Sequence, residues 1–146
     1  MSVGKICVRE VDLVEPEESV QVAASRMNSR NVGTLMVLDA ESQPIGILTD
    51  RDLAIRVVGK GLDAFTTTVR EVMSPAPASV REDASIESAL SLMRVGPFRR
   101  LPVVDEDGRL AGLLSLDDIL DLLSEEFTEI GQLVRSESPD VLSKSS

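Results

Sequence analysis

The sequence predicts an α/β fold, α+β in its arrangement, in which one β-α-β-β-α unit is used twice about a pseudo-two-fold axis. The first observation behind this is a gapless internal repeat. Shifting the chain against itself by 66 positions sets Val3 on Val69, Val14 on Val80, Ser19 on Ser85, Met27 on Met93, Leu35 on Leu101, Val37 on Val103, Gly46 on Gly112, Leu48 on Leu114 and Asp52 on Asp118. Conservative pairs fill the register between them, among them Ile6 with Val72, Val20 with Ile86, Thr49 with Ser115 and Leu53 with Ile119. A unit of about 55 residues buries too little apolar surface to stand alone, so two copies are expected to complete one core. The copies divide the chain into a first repeat (1–58), a connection GKGLDAFTTT (59–68), a second repeat with an extended C-terminal helix (69–134) and a flexible tail (135–146).

The second observation is that the periodicities recur in the same order in both copies. In residues 17–29, Val20, Ala23, Ala24 and Met27 fall at helical spacing, and Ile86, Ala89, Leu90 and Met93 do so in the second copy. Residues 34–38 and 100–104 are runs of β-branched and apolar residues. Each is followed by a polar turn (DAESQP, DEDGR) and a second apolar run, 45–48 or 110–114, which together predict a hairpin. A second helix follows at 50–58 and at 116–123. The latter continues toward Val134, because Phe127, Ile130 and Val134 extend its apolar stripe.

Composition bounds the function. The chain has 146 residues, 42% hydrophobic and 27% charged, as a soluble globular domain does. A formal charge of −10 and an aromatic content of 2% disfavour nucleic acid and anionic membrane as partners. No apolar run approaches a membrane span and no leader pattern opens the chain, so a cytoplasmic location is expected. There is no His, which removes Ser-His-Asp and Cys-His catalysis and histidine metal sites. Cys7 stands alone and aligns with Met73, which reads as a small core residue and not a reactive thiol. No catalytic residue and no metal site is expected, and Asp105-Glu106-Asp107-Gly108 reads as a turn.

The most informative stretch joins the second hairpin strand to the following helix. It reads Gly46-Ile47-Leu48-Thr49-Asp50-Arg51-Asp52 in one copy and Gly112-Leu113-Leu114-Ser115-Leu116-Asp117-Asp118 in the other, both G-x-x-[ST]-x-x-D. As local structure it is a capping box, with the hydroxyl and the Asp three residues on each serving a backbone N–H. As a site it aims polar groups into a cleft, where one carboxylate can accept from two vicinal ribose hydroxyls.

These residues resemble a known family. The tandem unit, with GILTDRDLAIRVV, TTTVREVMS and FRRLPVVDEDGRLAGLLSLDDIL, resembles a pair of cystathionine β-synthase (CBS) domains over nearly the whole chain. The resemblance implies a disc-shaped regulatory module that dimerises and binds an adenosine ligand (AMP, ADP, ATP or a related adenosyl compound) in the cleft between repeats, with no required cofactor and no enzymatic activity. By position it implies Asp52 and Asp118 on ribose, Thr49 and Ser115 on ribose or phosphate, and Arg99 and Arg100 on phosphate. It also implies apolar and backbone contacts to adenine from Val80, Leu101, Pro102 and Leu113. Arg99 reads equally well as a plain surface arginine. The first copy has Gly33 and Thr34 where the second has Arg99 and Arg100, so the Asp118 site is expected to be the better one for a charged nucleotide, with Lys5, Arg51, Arg56 and Lys60 as compensating cations for the other. The competing expectation is a ligand-free scaffold that keeps the fold and works through its dimer, its acidic surface and an unidentified partner protein.

Overall fold

A computed structural model describes residues 1–76, 78–96 and 99–137. After a 3-10 turn at Val3–Lys5 the first repeat contains β1 (Leu13–Val14), α1 (Val20–Arg30), β2 (Thr34–Leu38), β3 (Pro44–Thr49) and α2 (Asp50–Asp52), which runs on as a π-helix over Leu53–Val58. The second contains α3 (Val69–Val72), β4 (Ser74–Pro75), β5 (Val80–Arg81), α4 (Ile86–Val95), β6 (Arg100–Val104), β7 (Leu110–Ser115) and α5 (Leu116–Glu137).

Local chemistry sets the element ends. Ser19 caps α1 by accepting from Val22 N–H, and Ser85 caps α4 by accepting from Ser88 N–H, so both helices start after the serine, α1 at Val20 and not at 17. Of the residues read from the spacing, Val20, Ala23 and Met27 on α1 and Ala89 and Met93 on α4 are buried, Ala24 and Ile86 are half-buried, and Leu90 is exposed. The hairpin turns are held by Asp39, which accepts from Glu41 and Gln43 N–H, and by Asp105, which accepts from Asp107 and Arg109 N–H. Gly108 takes the left-handed φ of 80° that the turn requires, and Ser42 holds the matching position at 63°. The tail expectation is corrected at its start, because residues 135–137 continue α5; residues 138–146 lie outside the described part.

Two sheets result, one with strand order β1-β2-β3-β4 and one with β5-β6-β7. In each, a short parallel strand precedes an antiparallel hairpin, registered Thr34 to Thr49 and Arg100 to Ser115. Strand β4 belongs to the second repeat by sequence yet pairs with β3, Gly46 opposite Pro75 and Ile47 opposite Ser74. Its counterpart is Val8, from the first repeat, which pairs with Leu113. The segments before these strands cross over in the same way. Val3 N–H donates to Ala84 carbonyl at 2.9 Å, and Val69 N–H to Glu18 carbonyl at 2.9 Å. Bridges Ser2 to Ser85 and Thr68 to Ser19 complete the exchange.

The exchange changes where the core lies. One shared core was expected, but there are two clusters. The first joins Val69 and Val72 to Val14, Val20, Ala23, Leu35, Val37 and Leu48; the second joins Val3 and Cys7 to Val80, Ala89, Leu101, Val103, Leu114 and Ile119. Each repeat therefore lacks part of its own core and receives it from the leading segment of the other.

The motif glycines answer to the same contact. A Cβ on Gly112 would lie 2.8 Å from both Cys7 Sγ and the Val8 carbonyl oxygen, and one on Gly46 would meet the Met73 side chain and the Ser74 carbonyl. Backbone cannot yield as a flexible side-chain tip can, so Gly112→Ala is expected to destabilise by about 1–3 kcal/mol, as overpacking does. Urea unfolding would show it as a lower midpoint, and a wild-type midpoint would contradict this account of the glycine.

Candidate functional site

Both strand-to-helix junctions close as capping boxes. Thr49 N–H donates to Asp52 Oδ2 at 3.0 Å and Asp52 N–H to Thr49 Oγ1 at 3.1 Å; Ser115 N–H donates to Asp118 Oδ2 at 3.1 Å and Asp118 N–H to Ser115 Oγ at 3.1 Å. Each Asp thus spends one oxygen on the backbone and is fixed in orientation by it. The other oxygen differs between copies. Asp52 Oδ1 lies 3.8 Å from Arg56 Nε, whereas Asp118 Oδ1 has no hydrogen-bond or ion-pair partner among the described residues. The repeat explains the difference, since Leu122 stands where the first copy has Arg56.

Asp118 lines a cleft of about 340 Å³. One wall is the crossover strap, with Val8, Glu10, Val11 and Asp12; a second is the turn after α1, with Val32, Gly33 and Thr34; the third carries Arg100, Leu113, Ser115, Asp117 and Asp118. The cleft is assembled from both repeats. Asp12 is anchored at its rim by Arg30, whose Nε approaches Asp12 Oδ1 at 2.7 Å.

Of the residues singled out from the sequence, Arg100, Leu113, Ser115 and Asp118 come together here. Thr49 and Asp52 sit at the pseudo-symmetric junction. Val80 on β5 and Leu101 and Pro102 on β6 are buried in the second half of the molecule and do not line this cleft. Arg99 is exposed and outside the lining; its carbonyl accepts from Leu116 N–H at 2.8 Å. The positions matching Arg99 and Arg100 in the lining are Gly33 and Thr34, contributed by the other repeat. Sequence reasoning missed Val8, Glu10, Val11, Asp12, Val32 and Asp117. The repeat register did contain a signal for the first four, since it relates them to β4 and the stretch after it, but only the exchange reveals that a strap enters the other repeat's cleft.

Elsewhere the chemistry is quiet. Burial pushes the Cys7 thiol above its ordinary pKa, which keeps it protonated and unreactive at neutral pH. The Arg26 guanidinium grips Glu18 with both nitrogens, at 3.1 and 2.9 Å, and holds its carboxyl below the ordinary range. Among the described residues no cluster of three or more His, Cys, Asp or Glu could hold a metal, and no helix is long and apolar enough to cross a membrane.

A family model of the CBS domain matches residues 3–59 and again residues 69–125. The chain belongs to the CBS-domain family. This CBS pair is 39% identical over 118 residues to the CBS domain-containing protein YhcV of Bacillus subtilis, covering 81% of this chain and 82% of that one. It is 36% identical over 120 residues to the uncharacterized protein MK0525 of Methanopyrus kandleri, covering 82% of this chain but 61% of that protein. The match to inosine-5'-monophosphate dehydrogenase of Methanocaldococcus jannaschii, 34% identical over 80% of this chain, takes in 22% of that enzyme. Among solved structures, CBSX2 in complex with AMP superposes with a TM-score of 0.69 at 28% identity, over 85% of this chain and 96% of that one. CBSX2 from Arabidopsis thaliana superposes with a TM-score of 0.72, at 28% identity, over 87% of this chain and 96% of that one.

Proposed function

We propose that this CBS pair is a regulatory module that binds an adenosine nucleotide in the cleft beside Asp118 and performs no chemistry on it. The observation that carries the reading is Asp118 itself: its carboxylate is oriented by Ser115 N–H, yet its second oxygen is left to accept from a ligand in a 340 Å³ cleft. Val8, Val11 and Leu113 offer apolar surface for a base, and Arg100 offers a forked cation for phosphate. The AMP-bound CBSX2 neighbour supports an adenine nucleotide as the ligand class.

Regulation follows from the construction of the cleft. Its walls come from both repeats and from the strap, so a bound ligand favours whichever arrangement of the halves fits it, by its difference in affinity for the two. Titration calorimetry with AMP, ADP and ATP on nucleotide-free protein tests this. The reading expects heat with at least one of them, and no heat with any would leave the ligand-free scaffold standing.

The module is further proposed to act in the cytoplasm as a homodimer. On α5 the exposed residues Leu120, Leu123, Phe127, Ile130 and Val134 recur at alternating spacings of three and four, the pattern of a helix seam. Phe127→Asp is expected to convert the dimer to monomer in light scattering at micromolar concentration, and an unchanged mass would exclude α5 as the seam.

A further inference from the structure

The Asp118 cleft is predominantly acidic. It is lined by four carboxylates, Glu10, Asp12, Asp117 and Asp118, against one guanidinium, Arg100, and of the four only Asp12 is paired with a cation among the described residues, Arg30 at the rim. Asp50 adds to this, since its Oδ2 lies where a Cβ on Gly33 would come within 2.9 Å. A pocket of this kind tolerates one phosphate and repels a chain of them.

The pseudo-two-fold places a second cleft at Asp52, and the backbone observes that symmetry residue by residue. Asp50 N–H donates to Gly33 carbonyl at 2.9 Å as Leu116 N–H donates to Arg99 carbonyl at 2.8 Å, and the Val8 to Leu113 bridge repeats as Ile47 to Ser74. Applied to the charged lining, the same symmetry sends Glu10 to Ala76, Asp12 to Ala78, Asp117 to Arg51 and Gly33 to Arg99, while Thr34 and Arg100, both in the lining, exchange places. The Thr34–Arg100 exchange is neutral, and every other one of these removes a negative charge or adds a positive one. Arg56, which approaches Asp52 Oδ1, adds a further cation with no basic counterpart beside Asp118.

We infer that the Asp52 cleft is the polyphosphate site, taking a nucleoside di- or triphosphate through Arg51 and Arg99, while the Asp118 cleft takes an adenosyl ligand with at most one phosphate. This reverses the assignment expected from the sequence, which gave the charged nucleotide to Asp118 because Arg99 and Arg100 share its repeat. The inference rests on the nucleotide-binding reading above and adds which ligand goes where.

Titration calorimetry with AMP and with ATP, both free of magnesium, separates the two. Arg51 and Arg99 are exposed side chains, so an Arg51→Ala/Arg99→Ala protein is expected to keep the wild-type melting curve. It should lose roughly tenfold or more in the ratio of ATP to AMP affinity, the loss expected from removing charge-assisted contacts. Asp52→Asn should weaken ATP more than Asp118→Asn does, and Asp118→Asn should weaken AMP more than Asp52→Asn does. An unchanged ATP to AMP ratio in the double variant, or ATP affinity that depends more on Asp118 than on Asp52, overturns the inference while leaving nucleotide binding intact. No heat with either nucleotide overturns nucleotide binding itself.

Discussion

Removal of residues 1–8 is expected to unfold the second half of the molecule while leaving the first sheet folded. Val3 is fully buried and Cys7 is 9% exposed, and both pack into the second cluster against Val80, Ala89, Leu101 and Leu114. Losing two such side chains removes about 1.5–3 kcal/mol each of transfer free energy, before the cost of the cavity they leave. The β7 edge that Val8 covers would also be bared at Leu113. Against a total stability of about 5–15 kcal/mol this is a large fraction, and it falls on one half alone. The first cluster keeps its borrowed residues Val69 and Val72. Amide hydrogen exchange therefore should lose protection across β5–β7 and retain it across β2 and β3. Uniform loss over both sheets would mean that the halves unfold as one cooperative unit, and unchanged protection would mean that the exchanged segment contributes little.

Asp118→Ala is expected to lower affinity for the adenosine ligand of its cleft by about 10–100-fold. A hydrogen bond from a neutral donor to a charged acceptor contributes about 1.5–3 kcal/mol, and a ribose diol offers two donors to the one free carboxylate oxygen. The same substitution removes the acceptor for Ser115 N–H, half of a capping box, which costs about 0.5–2 kcal/mol of stability. Ser115→Ala separates the effects, since it removes the other half of the box and leaves the carboxylate. If the two variants weaken binding equally, Asp118 acts through the helix end and not through the ligand. If Asp118→Ala alone weakens it, the carboxylate touches the ligand.

Most of the architecture was legible because repeat and periodicity report local structure. The hairpin strands at 34–38 and 100–104 and the inward faces of α1 and α4 follow from side-chain spacing alone. The exchange was not legible. Val3 and Val69 align perfectly in the register, but a register says only that two segments do the same thing, not whether each does it for itself or for its twin. That one ambiguity displaced the rest: it made two cores look like one, set Arg99 beside Asp118, hid Glu10 and Asp12 from the cleft, and made Gly46 and Gly112 look like parts of a ligand motif when a crossing strand needs their missing side chains. The Thr49–Asp52 and Ser115–Asp118 capping boxes were readable in full, because they are closed within four residues.

The crossover also sets an order of events during synthesis. The first sheet cannot finish until β4 emerges, well after its own hairpin has been made, and the second waits for nothing but itself because its missing piece, the segment ending at Val8, is made before it. That segment has its partner at Leu113 and must stay undocked while most of the chain is translated. Contacts this distant in sequence slow folding. A ribosome releasing this protein one repeat at a time would therefore release a first half still open at its β3 edge, and a leading segment, residues 1–8, that finds its place last.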